Sequence, residues 1–339
     1  MITTKLNLNN KITIEEVDLP EISEFQVLIK VLSCAICGSD LKITKFGNKR
    51  ITEPRTIGHE ISGEIVKIGS NVQNYKIGDR VSVGADLPCL DCEMCSIGAV
   101  NLCKTNYALG YQFDGGLTQY MILNEHVLQD GPIAKFSKVT SDIACLAEPL
   151  ACAINGVDKA FKCFTVGSPI NSLIFGGGPM GLLIAEYLKS KKIDDITIIE
   201  MNDTRIDFIK KNTAFSVEKN VARDSKFDLI FTACPAIETH KSALNAVNTS
   251  GVINFFGGLP PDAGNIELNS NEIHYNETVI IGTHGSTPDQ HSKALSLLES
   301  NQINLDYLIT HKFDLSNIER ALDTARSGKG QKIIVNPNE

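Results

Sequence analysis

The chain has 339 residues, 42% hydrophobic and 21% charged, with 32 Lys and Arg against 40 Asp and Glu for a formal net charge of −8. This composition excludes a disordered chain and a small disulfide-stapled scaffold, and at about 100–200 residues per domain the length predicts two domains. A sequence pI near 5.5 gives no global electrostatic pull toward nucleic acid or an anionic membrane, so neither is an expected partner.

The opening MITTKLNLNNKITIEEVDLP lacks the basic and continuously apolar runs of a signal peptide, and the protein is expected to stay in the cytoplasm. Its ten cysteines are then expected as reduced thiols or metal ligands rather than disulfides. QVLIKVLS, EISGEIVKIGS and GDRVSVG read as short strands broken by Gly, Asp and Asn, which predicts a β-rich domain over 1–149. Within it, CAICGSD carries Cys37, Ser39 and Asp40, and GHE carries His59 and Glu60. A thiolate, an imidazole and a carboxylate make a zinc site with one position open to water or substrate. Glu148, in LAEPLA, offers another carboxylate. Taken singly, Cys37 also reads as a small buried side chain, His59 as a core histidine and Glu148 as a helix-capping acid. Cys34 competes with Cys37, because CxxC can bind metal or do redox chemistry. Between these motifs LKITKFGNKRITEPR holds Lys42, Lys45, Lys49, Arg50 and Arg55 against one acid, Glu53. That excess reads either as a solvated loop or as a phosphate subsite.

Next comes PCLDCEMCSIGAVNLC, with Cys89, Cys92, Cys95 and Cys103. The short gaps let neighbouring thiolates converge and the longer loop returns the fourth sulfur, which suits a closed structural zinc in a lobe at 86–105. An iron–sulfur cluster, a nucleic-acid-binding ribbon and unligated thiols are the alternatives. The ferredoxin spacing places its fourth Cys after three residues and before Pro, whereas here Lys104 follows Cys103.

The uncharged stretch 163–185 contains five glycines and two prolines and so reads as strand, turn and helix start, not as a membrane span. Its turn GGGPMG sets Gly176, Gly178 and Gly181 in GxGxxG register around Pro179 and Met180, and Glu200 closes the next strand. In this context glycines let backbone approach a pyrophosphate at a helix N-terminus, and the acid accepts from ribose hydroxyls. Glu200 and Asp203 would repel a 2′-phosphate, so NAD is expected over NADP, with Arg205 softening that preference. A glycine turn in a cofactor-free α/β domain is the alternative. FDLIFTAC, GVINFFGG and TVIIGTHG, with helix-like ETHKSALNAVN between the first two, extend a doubly wound parallel sheet over 150–285. The tail 286–339, with helix-like HSKALSLLES and NIERALDTARS before the strand QKIIVNP, is expected to return to the first domain.

CGSD, GHE, GDRV, the four-cysteine lobe, EPLA and GGGPMG, in this order and at these distances, resemble the zinc-containing medium-chain alcohol and polyol dehydrogenases across the whole chain. GYQFDGG, EPLA and the ending SGKGQKIIV look most like the sorbitol (L-iditol) dehydrogenase branch, including polyol-phosphate dehydrogenases. The resemblance implies a GroES-like catalytic domain, a Rossmann domain, a cleft between them, two zinc ions, NAD, and a homodimer or homotetramer. It places Cys37, His59 and Glu148 at the catalytic zinc, with Glu60 as an acid that ligates or acts through water. It makes Asp40 the acid that orients His59 and Ser39 the hydroxyl that relays the substrate proton, while the carbinol hydride goes to the nicotinamide. Lys42 stands where alcohol dehydrogenases often have His, and Ile43 where many sorbitol dehydrogenases have Tyr. The implied reaction interconverts a polyol or polyol-phosphate secondary alcohol and its ketose. The alternatives are a threonine-type or simple secondary-alcohol dehydrogenase and a non-catalytic relative.

Overall fold

A computed structural model describes residues 1–260 and 262–339. The chain forms two compact units, one of Met1–Ala151 with Gly285–Glu339, the other of Cys152–His284.

The first unit is β-rich, as its short alternating strands predict. Its central strand Val27–Ala35 pairs antiparallel with Glu60–Ile68, with Tyr120–Leu123 and with the C-terminal strand Lys332–Asn336. Val27, Ile29 and Val31 are fully buried with Ile61, Ile65, Ile333 and Val335 in one apolar core. Strand register matters for function here. Ala35 lies opposite both Glu60 and Ile334, and side chains two residues apart share a face. The strand ends therefore bring Cys37, Glu60 and Lys332 to one edge of one face.

The C-terminal segment is tied into this unit by polar contacts as well as by strand pairing. Glu299, in the helix Pro288–Glu299, accepts the backbone N–H groups of Ser137, Lys138 and Val139 at 2.8–3.2 Å. Asp142 accepts from Ser33 Oγ at 2.5 Å, Asn336 Nδ2 at 2.9 Å and Lys312 Nζ at 2.5 Å. Burial would raise the Asp142 pKa, but Lys312, Ser33 and Asn336 outweigh it and hold the carboxyl below its ordinary range.

The second unit is the doubly wound one. Among the described residues its sheet has six strands, all paired parallel, in the spatial order Ser216–Glu218, Asp195–Ile199, Asn171–Phe175, Phe227–Thr232, Val247–Phe255, Val279–Gly282. Numbered along the chain that is 3-2-1-4-5-6, and the order reverses beside Asn171–Phe175, where such sheets bind dinucleotides. The short strand Ser216–Glu218 has no strong sequence signal, and Val247–Phe255 begins earlier than its apolar run. Among the described residues no helix is long and apolar enough to cross a membrane.

Candidate active site and metal centre

Cys37 is the N-cap of the helix Gly38–Phe46, and Asp40 Oδ2 accepts the Cys37 backbone N–H at 2.9 Å. The other Asp40 oxygen faces His59 Nδ1 at 3.6 Å. His59 follows Gly58, whose φ of +93° and close approach to Cys34 Sγ and Leu117, 2.7 and 2.9 Å from an added Cβ, leave no room for a side chain. On its other nitrogen, His59 Nε2 is 3.2 Å from Ser39 Oγ. Asp40 thus addresses Nδ1 and leaves Nε2 toward Ser39, the arrangement in which a carboxylate orients a ligating imidazole.

The electrostatics are those of a site built for a cation. Asp40 and His59 are buried, and neither Asp40 Oδ1 nor His59 Nδ1 has a hydrogen-bond partner. Burial alone would lower the His59 pKa, but Asp40, Cys37 and Glu148 together hold it well above the ordinary value. Burial pushes Asp40 up, and it pushes Glu148 to about 7 despite His59, with Glu60 and Asp86 adding repulsion. Thiolate, imidazole and carboxylate form a donor set that suits a divalent ion of zinc's type.

Glu60 is placed differently. Lys332 Nζ donates to both of its oxygens at 2.5 Å, and both side chains are buried. Burial favours the neutral amine, but Glu60 outweighs it and the Lys332 pKa rises above its ordinary value. The resemblance admits Glu60 as a ligand, yet its oxygens are committed to Lys332. Glu148 lies near enough for its charge to act on His59.

Cys89, Cys92, Cys95 and Cys103 do converge, with ligand atoms all within 4.8 Å of one another. Cys92 Sγ lies 3.6 Å from Cys95 Sγ and 4.0 Å from Cys103 Sγ. Four sulfurs about 2.3 Å from one zinc form a tetrahedron with edges of roughly 3.8 Å, so the cluster has the required size. Backbone N–H groups support it: those of Cys89 and Asn106 donate to Cys103 Sγ at 3.2 and 3.3 Å. The backbone of Lys104 and Cys95 draws the Cys92 thiol down to about 6. Among the described residues no other group of three or more His, Cys, Asp or Glu converges this closely, and Cys37, His59 and Glu148 do not.

In the second unit the glycine turn joins the strand Asn171–Phe175 to the helix Pro179–Ser190, with Gly178 as N-cap and Pro179 in the first turn. Pro is suited there because its missing N–H needs no partner. A Cβ on Gly181 would lie 1.9 Å from Gly176 O, so only glycine lets helix and turn meet. Glu200 is buried and accepts from the backbone of Gly177 at 2.9 Å, Met201 at 2.8 Å and Asn202 at 2.9 Å, with Arg205 Nη1 at 3.6 Å. Its carboxylate therefore braces the turn. A carboxylate has about four lone-pair sites, so little acceptor capacity is left for a ribose.

The structure also gives contacts to residues whose part in the site the motifs leave open. Tyr111 in GYQFDGG has its ring 6.1 Å from that of His59, and its phenol meets the Ser39 side chain. Arg50 stacks on the same ring at 4.6 Å. Lys332 had one sequence signal, a lone charge opening an apolar strand. Ile43 is buried in the core of the first unit.

A family model described as the alcohol dehydrogenase GroES-like domain matches residues 23–132, and one described as the glucose dehydrogenase C-terminus matches 141–335. The chain is 31% identical to a D-altritol 5-dehydrogenase of Agrobacterium fabrum, covering 89% of each. It is 27% identical to an L-threonine 3-dehydrogenase of Yersinia enterocolitica, covering 98% of each. The galactitol-1-phosphate dehydrogenase structure from Escherichia coli superimposes with a TM-score of 0.85 at 23% identity, covering 99% of this chain and 100% of that one.

Proposed function

This chain belongs to the zinc-type medium-chain polyol dehydrogenase family, and from that premise we propose that it interconverts the secondary alcohol of a polyol or polyol phosphate and the matching ketose with NAD(H). The observation that carries the reading is His59 set between Asp40 and Ser39, with Asp40 also holding the Cys37 backbone and the Glu148 charge acting on the imidazole. Cys37, His59 and Glu148 would hold the catalytic zinc, the four-cysteine lobe a structural zinc, and the turn around Gly176, Gly178 and Gly181 the cofactor pyrophosphate. When bound, zinc supplies Lewis acidity at the carbinol oxygen and NAD supplies the hydride acceptor. Asp40, 3.6 Å from Nδ1, orients His59 with Nε2 toward Ser39. Ser39 relays the hydroxyl proton, its Oγ accepting it while giving up its own outward, with the Tyr111 phenol the next group on the path to water. Lys332 holds Glu60 in place, which leaves Glu148 as the carboxylate of the donor set. The negative charge of Glu200 and Asp203 favours NAD over a cofactor bearing a 2′-phosphate, with Arg205 offsetting part of it.

The test is NADH appearance from zinc-loaded protein with NAD or NADP and a panel of polyols, polyol phosphates, threonine and simple secondary alcohols. Turnover of polyols that His59→Ala abolishes, with NADH binding retained, supports the reading. Activity retained in that variant overturns the zinc assignment. A threonine-type reading draws on the relative that matches over 98% of the chain, and threonine turnover alone would favour it. We further propose a cytoplasmic homodimer or homotetramer, which light scattering on the purified protein decides.

A further inference from the structure

The five basic residues between 41 and 55 are not equivalent in the fold. Lys42, Lys45 and Lys49 are exposed, and Lys45 lies over the Phe46 ring. Arg55 is spent on Glu53 and Asp114. Arg50 differs from all four. It is half-buried, its guanidinium carbon is 4.6 Å from the centre of the Tyr111 ring, and its Nη2 donates to Asn106 O and to Gln112 Oε1. Gln112 is itself fixed, because the same oxygen accepts the Ala108 N–H at 3.1 Å. Stacking and anchoring together set the direction of the planar fork before any ligand arrives.

Among the described residues no carboxylate lies within ion-pair distance of Arg50. In a chain with eight more acidic than basic residues, this cation is left without a counter-ion beside the reacting centre. A guanidinium has five N–H donors, and the contacts described use only those on Nη2, so Nε and Nη1 remain to be matched. Tyr111 connects this fork to the chemistry: its ring lies against Arg50 and is also 6.1 Å from the His59 ring, and its phenol meets Ser39.

We infer that Arg50 is a specificity-determining residue that binds the phosphate of a phosphorylated polyol whose secondary alcohol is held at His59 and Ser39. The inference rests on the dehydrogenase reading above and narrows its substrate. A phosphate monoester brings nearly two negative charges and three acceptor oxygens to a fork built for bidentate contact. The exposed Lys49 beside it adds to the same field. Tyr111 is a positioning residue for Arg50.

Zinc-loaded protein is assayed with NAD on matched pairs, glucitol with glucitol 6-phosphate and ribitol with ribitol 5-phosphate, and on the corresponding aldonates. The wild type is expected to prefer the phosphorylated member in kcat/KM. Arg50→Ala should reduce the phosphorylated-to-free ratio at least about tenfold, mainly through KM, the size expected for losing a charge-assisted contact. Arg50→Gln, which keeps a donor and drops the charge, should do the same, and Arg50→Lys should recover part of the ratio. Lys45→Ala, in the same segment, should leave it unmoved. Calorimetric titration of glucitol 6-phosphate into the protein without NAD should show the same ranking of affinity, and thermal midpoints check folding. A ratio unmoved in Arg50→Ala and Arg50→Gln overturns the inference. So does wild-type preference for the free polyol, which leaves the dehydrogenase reading standing. Preference for aldonates that Arg50→Ala removes overturns the phosphate assignment. Silence on every polyol, free or phosphorylated, with zinc bound, overturns both.

Discussion

Lys332 Nζ reaches both oxygens of Glu60 at 2.5 Å, and neither side chain is appreciably exposed. Removing one member of such a pair leaves an uncompensated buried charge, at a cost of about 3–5 kcal/mol. Lys332→Met is therefore expected to lower the stability of the first unit by that order in urea titrations. Combining it with Glu60→Gln should return part of the loss, since the double variant buries no lone charge. A double variant no better than the sum of the singles would show that the two side chains are not energetically coupled.

A pH dependence of stability follows from Asp142. Lys312, Ser33 and Asn336 hold its folded pKa below the unfolded value of about 3.9. Its contribution is present above the unfolded value and is lost as pH falls through the folded one. The urea midpoint of the wild type should accordingly fall as the pH drops below about 4 and through the folded pKa. In Asp142→Asn that fall should be shallower, with a lower midpoint at neutral pH. Parallel curves for the two proteins would rule out this source of acid sensitivity.

Cys103 is the buried member of the four-thiol cluster and receives two backbone N–H groups. Cys103→Ser should bind about one zinc fewer per chain by elemental analysis and unfold at lower temperature, because closed thiolate sites contribute folding free energy. An unchanged metal content would mean that the lobe holds no zinc.

Glu200 braces the glycine turn through three backbone N–H groups. Glu200→Ala leaves these donors unmatched, at about 1–3 kcal/mol for each one buried. NADH affinity should fall, and the second unit should become less resistant to proteolysis. Glu200→Gln, which keeps one acceptor oxygen, should do less damage than Ala. Equal affinity of wild type and Glu200→Ala for NADH would exclude any part for this acid in shaping the cofactor turn.

Ser39 Oγ lies 3.2 Å from His59 Nε2 and against Tyr111. Ser39→Ala should reduce kcat by about a hundredfold, as expected for a positioned proton acceptor, with zinc content maintained. Unaltered kcat would direct the proton through another group.

The parts of the fold that recur with a short period or a fixed spacing were legible in the chain itself. Gly176 and Gly181 announced the strand–turn–helix because their missing side chains are a local steric need, and the four cysteines announced their cluster because the ligands lie within one short segment. Lys332 and Tyr111 were not legible as site residues. Each reaches the site through strand or loop placement set by partners far along the chain, and nothing in a local window distinguishes Lys332 from a lysine opening an ordinary edge strand. Glu200 shows a subtler limit: its position was readable, but its three backbone partners were not, because they depend on how the turn closes around it. Among the five cations from Lys42 to Arg55, composition alone could not tell which one the fold would half-bury and anchor against Tyr111 and Gln112.

The first unit is assembled from two stretches of chain on either side of the second unit, and Glu60 is synthesised 272 residues before Lys332. On the ribosome, the stretch that carries Cys37, His59 and Glu60 is finished long before the strand that neutralises Glu60 exists. The second unit, continuous in sequence, has every partner strand in hand first, and domains emerging during translation fold as units. The nascent chain must therefore carry an incomplete first unit, with an edge open beside Val27–Ala35, until the strand Lys332–Asn336 leaves the exit tunnel. Emergence of Lys332–Asn336 is in this sense the event that closes the edge beside Glu60, so termination before it leaves a folded second unit attached to an unfinished first one.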